Sequence, residues 1–214
     1  MDEEIAIINE KTRNEKIKSF FIENKKLLIS IIIFLILIIF SHYFYQIYQD
    51  QRKEELSNKY NSAVIDYKRG HNDKTILAMK EVIADKNNTY SPLALYFIID
   101  NGLIENTNEV NELFNILINK TSLETEIKNL IIYKKALYNA DFINESGLLD
   151  ILSPLINSES VWKSHALYLI AEYFYSKNEK QKSKEFFNKI LITKNANQQI
   201  VKESQKRLNR DLSE

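Results

Sequence analysis

Nucleophilic, acid–base and metal chemistry need cysteine, histidine or carboxylates at short, fixed spacings, and this chain of 214 residues offers few of them. It has no cysteine, which removes thiolate catalysis and every cysteine-based metal site. Its three histidines, His42, His71 and His165, share no ligand spacing of the His-x3-His kind, so each reads as a solvent-facing or packing residue. Glu54 and Glu55 are adjacent acids on a polar helical stretch with no base or nucleophile beside them, and they read as a solvated face. No glycine-rich loop is present to cradle a phosphate; Gly70, Gly102 and Gly147 each fall where a pair of helices is expected to turn. No catalytic, cofactor-binding or metal residue can be named, so the chain reads as a non-enzyme.

The residues from Leu27 to Tyr48 carry no charge. At about 1.5 Å per residue they reach roughly 33 Å, enough to cross a hydrocarbon core of about 30 Å. A cleavable export signal would end in a small-residue site, whereas this run exits through Ser41, His42, Tyr43, Phe44, Tyr45 and Tyr48, an interfacial aromatic belt. A single transmembrane helix over 27–48 is therefore expected, following a charged tail over 1–26. Lys11, Arg13, Lys16, Lys18, Lys25 and Lys26 precede it, against Arg52, Lys53 and Lys59 in the comparable stretch after it. That asymmetry keeps the N-terminus in the cytoplasm and sends residues 49–214 across the membrane, into the periplasm of a Gram-negative bacterium.

The exported part balances 23 basic against 23 acidic residues, which argues against a nucleic-acid partner. Three glycines and two prolines in the whole chain are too few for the turns of a many-stranded β fold, so an all-α domain is expected. Within it a repeat is legible. LAMKEVI (77–83), ELFNILI (112–118), DILSPLI (150–156) and EFFNKIL (185–191) align so that Met79, Phe114, Leu152 and Phe187 share one column and Val82, Leu117, Leu155 and Ile190 another. Two apolar columns three residues apart mark one helix face. Sixteen residues before each first anchor stand Ala63, Ile98, Ala136 and Ala171, three of them small enough for two helices to approach closely.

This spacing resembles the tetratricopeptide repeat, a helix-turn-helix unit of about 34 residues. The last unit carries the likeness best, through Leu167, Ile170, Ala171, Phe174, Ser183, Phe187 and Ile190. Val110 replaces a small residue in the second unit and Asn139 an aromatic one in the third, so looser or rotated hairpins are expected there. Pro154 is expected to kink or shorten the second helix of the third unit. The resemblance implies a tetratricopeptide-like helical-hairpin solenoid of about four hairpins over 49–196, closed by a capping helix and tail over 197–214 with Ile200, Val201, Leu208 and Leu212 on its apolar face.

In such arrays the first helix of each hairpin lines a concave face. The positions that would do so here are Tyr60, Leu95, Tyr133 and Tyr168, then Val64, Ile99, Leu137 and Glu172, with Tyr67 and Tyr175 three residues on in the outer units. Seven of the eight paired positions are apolar or aromatic, so a partner-binding groove is expected. The alternative is that they pack against neighbouring first helices, or that the cap fills the groove.

The order of parts, with SVWKSHALYLIAEYFYSKNEKQKSKEFFNKIL as the last hairpin and Trp162 opening it, resembles the YfgM-type family of tetratricopeptide-like ancillary subunits of the SecYEG translocon. That resemblance implies an inner-membrane helper at the periplasmic exit of the Sec channel. Its partners would be the translocon, a membrane-anchored periplasmic chaperone of the prolyl-isomerase-like type and exported polypeptides, with lipid met through one helix and no cofactor. A structural scaffold for another cell-envelope assembly complex is the competing expectation. Topology is checked by single cysteines at Ser19 and Ser158 in this cysteine-free chain. An impermeant thiol reagent on intact spheroplasts is expected to label only the second, and labelling of the first would reverse the orientation.

Overall fold

The computed structural model describes residues 18, 20, 22 and 24–212. Most of the expected cytoplasmic tail, including Lys11, Arg13, Lys16 and the Ser19 probe position, lies outside the described residues. Among the described residues the chain forms nine α-helices and no strand. They are α1 (Lys25–Lys68), α2 (Asn72–Ala84), α3 (Tyr90–Asp100), α4 (Thr107–Lys120), α5 (Thr125–Asn139), α6 (Glu145–Ile156), α7 (Lys163–Ser176), α8 (Lys180–Leu191) and α9 (Gln198–Asp211). The chain divides into two compact units, one ending at Glu55 and one beginning at Leu56, seven residues later than the boundary expected from the charge pattern.

In the first unit, α1 is long and apolar enough to cross a membrane. All side chains over 29–55 are exposed, so this is not the buried core helix of a soluble fold. Its polar groups near the aromatic exit bond along the helix: Gln46 Nε2 lies 3.1 Å from His42 Nε2, and Gln49 Nε2 donates to the Tyr45 hydroxyl at 2.9 Å. Such i, i+4 pairing satisfies polar atoms without a partner from outside the helix.

The second unit begins with the last turns of α1. Its helices form where caps and stops permit. Asn106, Asn144 and Asn197 cap α4, α6 and α9, their side-chain oxygens accepting from backbone N–H groups of the first turn. The asparagine-rich linkers are thus helix starts. Stops follow a repeated pattern: the N–H of His71, Leu103 and Glu179 donates to the carbonyl five residues back, of Asp66, Ile98 and Phe174. Each of these turns passes through a left-handed residue, Gly70 (φ 81°), Gly102 (φ 59°) or Asn178 (φ 62°). Gly147, expected at a turn, is instead in the first turn of α6, its N–H bound to the Asn144 cap. Pro154 falls in the last turn of α6, where only one carbonyl loses its donor, and the helix runs through it to Ile156.

The twelve positions of the aligned columns are all buried, none more than 1% exposed. Within the α1–α2 and α7–α8 pairs the same side-chain bond recurs. Thr75 Oγ1 donates to the Ala63 carbonyl at 3.2 Å and Ser183 Oγ to the Ala171 carbonyl at 2.8 Å, both across twelve residues. In the second pair Val110 takes that position and is 1% exposed, so the apolar side chain is accommodated and no loosening follows. Asn139 is 2% exposed and forms a reciprocal amide pair with Asn111 of α4, at 2.8 and 2.9 Å, while its Nδ2 also donates to the Lys135 carbonyl. An aromatic residue is replaced by a satisfied polar lock.

Removing the ring of Phe114 or Phe187 is expected to cost about 3–5 kcal/mol of stability, against less than about 0.5 kcal/mol for Lys194→Ala in a turn. Gly102→Ala is expected to cost about 1 kcal/mol although open space surrounds its Cα, because the φ is left-handed. Thermal melts of the full chain that rank Lys194→Ala with the two phenylalanine variants would contradict the packing described.

Candidate functional site

The first helices of successive pairs are α1, α3, α5 and α7, and what closes the space between neighbours differs along the row. Between α1 and α3, Tyr60 packs on Tyr90 and Phe97 with ring centroids 6.1 and 6.3 Å apart, and Tyr67 meets Phe97 edge-on at 5.2 Å. Between α5 and α7, Tyr133 stacks on Trp162 at 5.8 Å and meets His165, also at 5.8 Å. Burial in that cluster holds the His165 imidazole below its ordinary pKa. Both seams are sealed by aromatic rings.

The seam between α3 and α5 is not sealed. Lys134 Nζ lies 4.4 Å from the centre of the Tyr96 ring. A cleft of about 380 Å³ is walled by Pro92, Leu93, Leu123, Ile127 and Leu130, with Asn88, Thr89 and Glu124 at its polar edge. A smaller one of about 150 Å³ is lined by Ile99, Asp100, Lys134, Leu137 and Tyr138. Tyr96 borders both. Leu93, Ile127 and Leu137 are 41%, 39% and 52% exposed, large apolar side chains facing solvent. The Tyr96 hydroxyl is enclosed and has no hydrogen-bond partner among the described residues. Burial, with Asp100 nearby, pushes its pKa up to about 12, so it stays a neutral donor at physiological pH.

The tyrosines expected to line a groove are thus distributed among different environments. Tyr60, Val64 and Tyr67 are half-buried against the α3 core, and Leu95 is wholly buried, a core residue rather than a groove residue. Tyr133 is held in the α5–α7 seam. Tyr168 packs edge-on against Phe187 at 5.4 Å. Tyr175 lies under the Arg207 guanidinium of α9 at 4.3 Å, and Arg207 also binds Glu172 and Asp211. At this end the cap helix covers the expected lining. Ile99 and Leu137 of the expected residues line the clefts beside Tyr96, together with Leu93, Tyr96, Ile127 and Leu130, which the repeat arithmetic missed. The signal for them was present: LYFIID and IKNLIIYKKAL carry more apolar residues than one buried stripe requires.

Among the described residues no group of three histidines, aspartates or glutamates is placed to hold a metal ion. The clefts offer largely apolar contact area. Comparison with family models, curated proteins and solved structures finds no match to this chain, so the reading rests on its own residues.

Tyr96 and Tyr168 are both pushed up to about 12, by burial first and then by Asp100 and Glu172 respectively. Folded values above the ordinary 10.0 favour the neutral forms, so the linked stability is complete below pH 10 and is lost as pH rises towards 12. Ultraviolet titration is expected to show a late tyrosinate wave near pH 12 that shrinks in Tyr96→Phe. Loss from the early wave near pH 10 instead would mean that Tyr96 is not enclosed.

Proposed function

We propose that this protein is a membrane-tethered adaptor: a single-pass inner-membrane protein with its N-terminus in the cytoplasm and a periplasmic domain of tetratricopeptide type that binds other proteins at the Sec translocon. It assists the hand-over of exported chains to a membrane-anchored periplasmic chaperone. The observation that carries the protein-binding part is the open α3–α5 seam. Three exposed apolar side chains line the clefts there, beside seams filled by aromatic rings, and apolar surface gathered in this way is the usual mark of an interaction site.

The repeat reading is supported by the three buried columns over four units, by the twelve-residue hydroxyl bond of the first and last pairs and by the shared left-handed stops. Anchoring is supported by the exposed apolar length of α1, and orientation by the basic asymmetry around it. The Sec assignment comes from the resemblance in the order of parts. The clefts are lined largely by apolar side chains, and apolar contact area suits an adaptor.

Photoreactive residues placed at Ile127 and Leu137 of the full chain in living cells test this directly, with exposed Glu185 of α8 as the control position. Crosslinks from the two groove positions to translocon subunits, to a periplasmic chaperone or to exported chains are expected, with few from Glu185. Crosslinks confined to another envelope assembly complex would replace the Sec reading with the scaffold one, and equal yields from all three positions would remove the groove from the account.

A further inference from the structure

We infer that Asn101–Gly102, at the C-terminus of α3, is a site of covalent self-modification: the asparagine amide is lost as ammonia and aspartate or isoaspartate takes its place, at a rate set by how often the last turn of α3 opens. It is the one Asn-Gly pair in the chain, and both residues are exposed. This goes beyond the protein-binding reading and does not rest on it.

The reaction needs no partner but water. The Gly102 backbone nitrogen gives up its proton to a solvent base and attacks Asn101 Cγ. An N–Cγ bond forms, the Cγ–Nδ2 bond breaks, and Nδ2 takes up a proton and leaves as ammonia, closing a cyclic imide. Water then adds to either imide carbonyl. Addition at Cγ restores the backbone with an aspartate; addition at the backbone carbonyl routes the chain through Cγ and leaves isoaspartate. Either way a neutral amide and a water become a carboxylic acid and ammonia, with no oxidant or reductant, and the acid is ionised at neutral pH. Glycine suits the attack because it has no Cβ to crowd the nitrogen, and beyond its chain neighbours no atom lies within 4 Å of where a Cβ would stand.

The fold sets the rate. Asn101 caps the C-terminus of α3 with φ −103° and ψ 4°, and its Nδ2 donates to the Phe97 carbonyl at 2.8 Å. The Gly102 N–H donates to the Ile99 carbonyl at 3.1 Å. Leaving group and nucleophile are thus both held by the last turn of the helix. Imide closure waits until that turn opens, a local event that helix ends undergo more often than the whole domain unfolds. Asn157 is a comparison within the same chain. It is exposed and caps α6 with φ −94° and ψ 7°; its Nδ2 donates to Ser153 Oγ at 3.1 Å, and the next N–H, of Ser158, donates to the Leu155 carbonyl at 3.4 Å. The two caps differ chiefly in the residue that follows, Gly102 against Ser158. Once formed, a carboxylate at position 101 has no hydrogen to give the Phe97 carbonyl, and it adjoins Asp100 at the negative end of the helix dipole. Asp100 lines the smaller cleft with Lys134, so the modified protein carries an added negative charge beside that cleft.

The test incubates the full chain at neutral pH, folded in nanodiscs or denatured in urea, and reads the amide-to-acid mass change at each asparagine by peptide mapping, with isoaspartate counted by its specific methyltransferase. In the folded chain Asn101 is expected to convert about tenfold faster than Asn157, and denaturation is expected to speed Asn101 a further fivefold or so, because the gate is gone. Gly102→Ala in urea, where the left-handed turn no longer matters, is expected to slow conversion of Asn101 about tenfold. Equal rates at Asn101 and Asn157 in the folded chain, or a Gly102→Ala chain that converts as fast as the parent in urea, would overturn the site. A rate at Asn101 unchanged by urea would overturn the control by α3. No conversion of the folded chain in the time that the denatured chain converts completely would show that the native protein is not modified there, and the inference would fall.

Discussion

The second unit depends on one packing constraint, the insertion of a large apolar side chain from the second helix of each pair beside a closely approached first helix. Met79, Phe114, Leu152 and Phe187 supply the large groups, and Ala63, Ile98, Ala136 and Ala171 stand at the matching positions, all inaccessible to solvent. Alanine brings two backbones close enough that a hydroxyl on one reaches a carbonyl on the other, which is why Thr75 and Ser183 can bond across the pair. Where Ile98 replaces alanine, Val110 fills the equivalent place without a hydroxyl. In the third pair Ala136 is matched by the buried apolar Leu148 instead, so the hydroxyl is an option that close approach allows and not one it requires.

The groove follows from what this constraint leaves over. Once each pair has buried its shared face, the first helices still meet one another along a second face, and the residues there decide whether the seam closes. Rings close it between α1 and α3, through Tyr60, Tyr67 and Phe97, and between α5 and α7, through Tyr133 and Trp162. Beyond α7 the Arg207 cluster of α9 does the same, with Glu172 and Asp211 held around one guanidinium. That cluster holds the Asp211 carboxyl down to about 2, first through Arg210 and then through Arg207. The α3–α5 seam has a lysine over one tyrosine and two clefts beside it.

How much of this was legible in the sequence differs by level. The uncharged run of α1 and the two anchor columns were readable because burial imposes period and length directly on composition. The helix starts were half-readable: asparagine clusters marked linkers, but that Asn106, Asn144 and Asn197 cap the following helices needed the backbone in place. Gly147 shows the limit of punctuation, since a glycine near a boundary fits the first turn as well as the last. The groove was legible only in part. Counting along a repeat places Tyr133 and Tyr168 beside Ile99 and Leu137, but whether a side chain lines a cleft or seals a seam depends on the residue opposite, on another helix. Trp162 opposite Tyr133 closes its seam; Leu93 and Ile127, across from each other, leave theirs open.

The account's central claim is that partners meet this chain at the α3–α5 groove, and methyl-resolved nuclear magnetic resonance of the full chain in nanodiscs tests it most directly. Leu93, Ile127 and Leu137 report the groove, while Leu77 and Ile192, 61% and 85% exposed, report other surfaces with comparable freedom. Addition of purified translocon in nanodiscs is predicted to shift or broaden the three groove methyls and leave the two controls in place. Perturbation of Leu77 or Ile192 with Leu93, Ile127 and Leu137 unmoved would contradict the account.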